Sequence, residues 1–192
     1  MVLDNRLRII GGKWRGRKIS FPERDGLRPT PDRMRETLFN WLRDDLEGAF
    51  CLDLFSGSGA LGFEAASRGA RRVVMVEKDP VAYASMEANR DRFTSTETEL
   101  VKADFAGFLQ GKPEAFSLVF LDPPFSSEYL KLACELLESR DWLMPNARIY
   151  LESGQDTPPL VPSHWILLKT AKAGHSHGFL LERMPWHADQ KN

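Results

Sequence analysis

The sequence predicts an α/β protein, a doubly wound, mostly parallel seven-stranded sheet of Rossmann-like plan with an antiparallel edge hairpin and a short N-terminal β arm. Three observations predict it. Strand-like runs alternate with helical segments along most of the chain, which argues for parallel strands joined by crossover helices. The first run of the alternation feeds into a glycine-rich turn and then a helix, Asp53-Leu54-Phe55-Ser56-Gly57-Ser58-Gly59-Ala60-Leu61-Gly62. The last two runs follow each other with no helix between them, the pattern of an antiparallel pair.

Residues 7–10 and 17–21 flank Gly11-Gly12 and Gly16, which predicts a hairpin or extended arm. Thr30-Pro31-Asp32 reads as a helix start, with Thr30 as N-cap, Pro31 at the first helical position and an acid in the first turn. Met34, Leu38, Trp41 or Leu42, and Leu46 then recur at helical spacing. Strands are expected at 50–55, 72–77, 99–102, 116–121 and 148–151, with helices between them at 60–68, 81–92, 105–110 and 128–138. Residues 165–170 and 178–183 complete the sheet as the edge hairpin. The run 116–121 is apolar except for Ser117, the mark of a buried central strand. Two successive prolines cannot continue a ladder, so the chain leaves the sheet at Asp122-Pro123-Pro124-Phe125.

At 192 residues, 42% of them hydrophobic, the chain is long enough for one domain with a core that needs no staples. The expected division is a basic arm over 1–29, an α/β domain over 30–185 and a tail over 186–192. Cys51 and Cys134 are far apart in apolar surroundings, the usage of a reducing compartment. No signal-like stretch opens the chain and no apolar run reaches membrane-spanning length, so a cytoplasmic, soluble monomer is expected, without membrane or metal partners. His175 and His177, two apart on an expected strand, lack the further Cys or His partners a metal site needs, and His164 and His187 read as surface residues.

Net charge is −1, but residues 1–35 hold ten Lys and Arg against four acids, +6 there and −7 in the remainder. That asymmetry points the arm at a polyanion. Arg8, Lys13, Trp14, Arg15, Arg17, Lys18 and Arg28 supply cations and an indole, suited to phosphate contacts and base stacking. The competing reading is a solvated hairpin whose Trp14 covers the edge of the core.

Ligands of open parallel sheets bind beyond the carboxyl ends of the strands, and four of those ends carry polar or glycine-rich residues here. The glycine turn lets backbone approach a ligand closely. Glu77 is placed to accept the hydroxyl hydrogens of a ribose, and Asp104 to accept from the amino group of an adenine. Gly57-x-Gly59-x-x-Gly62, with Glu77 twenty residues after Gly57, fits a dinucleotide site. S-adenosylmethionine fits better: Asp53 just ahead of the loop can hold its ammonium, while the rest of the chain is short for a hydride-transfer region. Asp53 and Asp122 are 69 residues apart, three strand–helix units, so in doubly wound order their strands are neighbours. In that cleft Asp122 and the Pro123 carbonyl can accept both N–H bonds of an exocyclic amine while Phe125 stacks on its ring.

Arg8-Ile9-Ile10-Gly11-Gly12-Lys13-Trp14-Arg15-Gly16-Arg17, Arg28-Pro29-Thr30-Pro31-Asp32-Arg33-Met34-Arg35-Glu36, the glycine loop and Asp122-Pro123-Pro124-Phe125 together resemble one family. It is the RsmD family of bacterial 16S rRNA guanine-N2 methyltransferases, within the class I S-adenosylmethionine-dependent enzymes. The resemblance spans residues 7–183 and departs from the family at Ser56, often Ala there, and at the histidine-rich stretch 173–178. It implies methyl transfer to N2 of one guanine in the small ribosomal subunit, with Asp122, Pro123, Pro124 and Phe125 at the amine. It also implies a cofactor site of Asp53, Phe55, Ser56, Gly57, Gly59, Leu61, Glu77, Lys78, Asp104 and Phe105, with Thr30 and Arg33 reaching the cofactor carboxylate. The rival readings are a DNA-adenine or protein-glutamine methyltransferase, a non-catalytic RNA-binding assembly factor, and an NAD-dependent reductase.

Overall fold

The computed structural model describes residues 4–23, 30–123, 127–154 and 160–185. Strands β1 (Asp4–Arg8) and β2 (Lys18–Pro22) form a separate antiparallel pair. Then follow α1 (Asp32–Trp41), β3 (Phe50–Asp53), α2 (Ala60–Ser67), β4 (Arg72–Glu77), α3 (Pro80–Phe93), β5 (Thr98–Lys102) and α4 (Phe105–Leu109). The chain continues through β6 (Phe116–Leu121), α5 (Ser127–Ser139), β7 (Leu143–Ser153), β8 (Trp165–Ala173) and β9 (Ser176–Arg183). The main sheet has seven strands in the order β5-β4-β3-β6-β7-β9-β8. β3 pairs parallel with both β4 and β6, so the winding reverses there, and β9 runs antiparallel to β7 and β8.

Side-chain alternation covers both faces of this sheet. In β4, Val73 and Met75 enter one core while Val74 and Val76 enter the other. The first core takes Met34, Leu38 and Phe39 of α1, Phe63 of α2, and Met86 and Phe93 of α3. The second takes Leu109 of α4 with Leu130, Ala133 and Leu137 of α5. Each large apolar side chain buried this way favours folding by about 1.5–3 kcal/mol.

Helix α2 is buried along its whole length because the arm covers the side turned away from the sheet. Glu64, fully buried in mid-helix, accepts from the backbone N–H of Ile10 and Gly11 at 2.8 Å each and from Arg68 Nε at 2.7 Å. Arg35 Nη1 stands 3.7 Å from the same carboxylate, and its Nη2 donates to the Arg8 carbonyl at 3.0 Å. Gly12 sits at φ 74°, and a Cβ there would lie 1.8 Å from the Ser67 carbonyl oxygen, so only glycine lets the arm approach α2 this closely.

Several expectations change. Helix α1 is capped at Pro31, with no side-chain cap bond, because the Thr30 hydroxyl is engaged with Asp122 instead. β7 starts at Leu143, five residues before the expected 148. It pairs with Phe116 and again from Leu118 across a register shift, with Asn146 at φ 60°, and Pro145-Asn146 hid this half from apolar periodicity. His175 lies in the β8–β9 turn and His177 is buried on β9, so the two do not share a strand face. His164 is no loose surface residue, since its Nε2 lies 3.1 Å from Glu138. Among the described residues no group of three His, Cys, Asp or Glu is placed to hold a metal, and no helix is long and apolar enough to cross a membrane. Both cysteines are buried free thiols. Arg28, Pro124, Phe125, His187 and the segment 186–192 lie outside the described residues.

Candidate active site

The carboxyl ends of β3, β4, β5, β6 and β7 carry five acidic residues, Asp53, Glu77, Asp104, Asp122 and Glu152. Asp53 closes β3 with 2% of its surface exposed. Its Oδ2 accepts from the Gly62 N–H at 3.0 Å, across the glycine turn, while the Ser56 hydroxyl donates to its carbonyl at 2.8 Å. Burial pushes the Asp53 carboxyl up to about 7, and nearby Glu77 adds to the effect. Gly59, at φ 79°, occupies the cap position of α2 and completes the turn.

Glu77, at the end of β4, holds the loop in place. Its Oε2 accepts from the Gly57 N–H at 2.8 Å and its Oε1 from the Asp79 N–H at 2.7 Å. Each oxygen keeps acceptor capacity for a ribose hydroxyl. Asp104 caps α4, its Oδ1 accepting from Ala106 and Gly107 N–H at 3.1 and 3.0 Å, which leaves Oδ2 as the atom for an amino group. Beside it Phe105 packs on Phe55 at 5.0 Å and on Tyr129 at 5.5 Å between ring centroids. Lys78 Nζ stands 6.0 Å from the Tyr129 ring centroid, so a row of partly exposed aromatic rings with a cation at its edge follows the acids. Leu61 is buried in the core beneath the loop.

Asp122, at the end of β6, sits across the reversal point from Asp53: in the β3–β6 register Asp53 lies opposite Phe120. Its Oδ2 is 3.1 Å from the Thr30 hydroxyl oxygen. Burial raises its carboxyl well above the ordinary carboxylate range, with the charges of Glu152 and then Asp53 adding to it and Thr30 opposing. Pro123 is buried behind it. Thr30 therefore belongs to the Asp122 side of the cleft, whereas Arg33 is exposed on the first turn of α1.

The arm divides its residues. Trp14 is 6% exposed and stacks on Phe93 at 5.0 Å and 22°, so it fills the core edge and its ring is not presented to a base. Lys13 bonds Glu97 at 2.5 Å and lies 4.7 Å from the Trp14 ring centroid. Arg17 lies 4.7 Å from the Phe93 ring centroid and donates to the Arg92 carbonyl. Arg8, Arg15 and Lys18 are exposed.

Three residues were not anticipated from sequence: Tyr129, Tyr150 and Glu152. Glu152 was findable, because it is the polar residue closing the fifth parallel strand, as Asp53, Glu77 and Asp122 close theirs. Tyr129 carried no signal, because its ring meets Phe105 only once α5 packs beside α4.

The family described as conserved hypothetical protein 95 matches residues 7–182. Ribosomal RNA small subunit methyltransferase D of Haemophilus influenzae is 43% identical over 173 residues, 88% of this chain and 89% of that protein. The protein of the same name from Escherichia coli is 43% identical over 172 residues, 89% of this chain and 87% of its own length. A candidate methyltransferase of solved structure, also from Escherichia coli, has a TM-score of 0.87 at 41% identity and covers 95% of this chain and 100% of its own.

Proposed function

The chain belongs to the family described as conserved hypothetical protein 95, among relatives named as ribosomal RNA small subunit methyltransferases, and from that premise we propose its reaction. It transfers a methyl group from S-adenosyl-L-methionine to the exocyclic N2 of a guanine in 16S ribosomal RNA, in the cytoplasm. The observation that carries the reading is Asp122, a half-buried acceptor at the end of β6, set across the reversal point from Asp53 and the glycine turn.

The donor set fits the cofactor. Asp53 is a buried carboxyl whose proton a ligand ammonium would displace, Glu77 offers paired oxygens to a ribose, and Asp104 with Phe55 and Phe105 suits an adenine. The bound cofactor supplies an electrophilic methyl group on a sulfonium. The protein's task is the nucleophile, since the guanine N2 lone pair is delocalised into its ring. Asp122 and the Pro123 carbonyl accept the two N–H bonds of the amine, which favours a pyramidal nitrogen and aims its lone pair. Phe125 holds the ring. The target guanine is unpaired or extruded from its helix, because in a base pair one N2–H is already given to cytosine O2 and the stacked ring cannot enter the site. Exposed Arg8, Arg15 and Lys18, with Lys13 and Arg17 beside them, grip RNA phosphates next to the target.

Labelled methyl incorporation into small ribosomal subunits, DNA and protein, measured side by side, tests this. Label confined to small subunits is the expected result. Label in DNA or protein would establish the rival methyltransferase readings, and no label with RNA binding intact would establish the assembly-factor reading.

A further inference from the structure

Strand order lays the acids of the site in a row. From the edge inward, β5, β4, β3, β6 and β7 end at or beside Asp104, Glu77, Asp53, Asp122 and Glu152, with neighbouring strands about 4.8 Å apart. The first three suit the adenine, the ribose and the ammonium of the cofactor, and Asp122 suits the amine that receives the methyl group. Glu152 comes next in line, one strand past Asp122 and two strands, about 10 Å, from Asp53. It stands on the side away from the cofactor, where the rest of the target base has to lie.

The register brings Glu152 to the same face as Asp122. Phe120 pairs with Tyr150 and Leu121 with Leu151, so Asp122 and Glu152 each follow one residue beyond the last pair. Side chains two apart on a strand share a face, and Phe120 and Tyr150 both enter the core that takes α1. Thr30, just ahead of α1, reaches Asp122 from that same side. Glu152 is 6% exposed, but the strand surfaces directly after it, with Ser153 half-buried and Gly154 exposed. The fully buried Tyr150 fixes the carboxyl by donating to its Oε2 at 3.0 Å, which also favours the carboxylate form. Gly178 leaves Tyr150 the room to do so, since a Cβ there would stand 2.8 Å from Oη. A carboxylate offers about four lone-pair sites, so Glu152 retains acceptor capacity beside that bond.

An unpaired guanine presents two donor groups side by side on its Watson–Crick edge, the exocyclic amine at N2 and the ring N1–H. Adenine and cytosine instead carry a ring lone pair next to their amines. Asp122 and the Pro123 carbonyl could take the amine of any of the three, and the neighbouring ring position tells them apart. We propose that Glu152 selects guanine, its carboxylate accepting the ring N1–H beside the amine held at Asp122, an assignment that rests on the methyl-transfer reading above. An adenine or cytosine would set its ring lone pair against the carboxylate, with neither group able to donate. Sites built around a substrate N–H reject an analogue lacking it by about 10,000-fold or more, because the buried acceptor is left unpaired.

The test uses the full chain and small subunits reconstituted with either guanine or 2,6-diaminopurine at the methylated position. Diaminopurine keeps the 2-amine but has a lone pair at N1. The unmodified protein should prefer guanine by about 1,000-fold or more in kcat/KM. Glu152→Gln, whose amide can donate as well as accept, should lose rate on guanine and hold or gain it on diaminopurine, so that the preference shrinks to about tenfold. Cofactor affinity, read by calorimetry, should stay level. Tyr150→Phe keeps the packing and removes the hydroxyl, and should shrink the preference in the same direction by about threefold to tenfold. Melting curves show which variants fold, and Tyr150→Phe decides the matter if Glu152→Gln does not. A role confined to stability would lower both rates alike and leave their ratio where it was. That unchanged ratio in a folded variant, or equal rates on the two bases with the unmodified protein, overturns the assignment and leaves methyl transfer standing. Absence of guanine methylation by the unmodified protein overturns the underlying reading, and the assignment with it.

Discussion

Glu64 and Asp122 are both carboxyls drawn away from solvent, Glu64 fully and Asp122 in part, yet their surroundings are opposite in kind. Glu64, between the arm and α2, is met by two backbone N–H groups and by the guanidinium groups of Arg68 and Arg35. Asp122 is met by one hydroxyl and by two further carboxyls, Glu152 and Asp53. The first arrangement satisfies a charge and fastens two elements; the second leaves acceptor capacity unfilled and raises the proton affinity. A ligand bearing N–H groups and a positive charge would supply what the second lacks. Burial alone therefore does not mark a functional acid, and the identity of its partners does.

Exchanging the chemistry at each position separates the two roles. Asp122→Asn should lower kcat about 1,000-fold in a methylation assay while cofactor affinity, read by calorimetry, stays level. Its melting temperature should be unchanged or higher, since a strained carboxyl is removed. Glu64→Ala should do the reverse, costing about 3–5 kcal/mol in chemical denaturation, because Arg35 would be left buried beside an empty place. Whatever remains folded at low temperature should turn over at a near-normal rate.

The pH dependence of stability sharpens the contrast next. Asp53 has its carboxyl raised from 3.8 to about 7 by burial, so the folded state holds that proton more tightly than the unfolded chain. Its contribution is complete below the unfolded value and is lost as pH climbs toward 7. Glu138 carries the opposite sign. Burial alone would push it up, but Arg183, Trp165 and His164 hold it at about 2, so its contribution is present at neutral pH and is lost as pH falls. Melting temperature should thus decline between about pH 5 and 7, and Asp53→Asn should flatten that decline. An equal slope in the variant would contradict the assignment. The smallest effect belongs to the arm: charge reversal at Arg15 and Arg17 should weaken RNA binding about tenfold and make its salt dependence shallower, with cofactor affinity untouched.

Most of the fold was legible because its signals are local. Apolar runs, the glycine turn and the spacing of Asp53 from Asp122 suffice for the strand order, and β3 does pair with β6. Residues whose role depends on a distant partner were harder. Thr30 has every local mark of a helix cap, but Asp122, 92 residues away, takes its hydroxyl. Trp14 sits among cations yet turns inward, because Phe93 at the end of α3 offers a ring to stack on. Glu152 stands at a strand end that the sequence displays, but its nearness to Asp122 comes only from β6 lying alongside β7.

The central claim is that Asp122 presents one amine, guanine N2, for methylation. Nucleoside mass spectrometry of small-subunit RNA settles it most directly, after subunits from a strain lacking the protein are incubated with the purified chain and S-adenosyl-L-methionine. The expected product is N2-methylguanosine, present with the unmodified protein and absent with Asp122→Asn. A methylated adenine, a ribose methyl group, or undiminished N2-methylguanosine from the Asp122→Asn variant would contradict it.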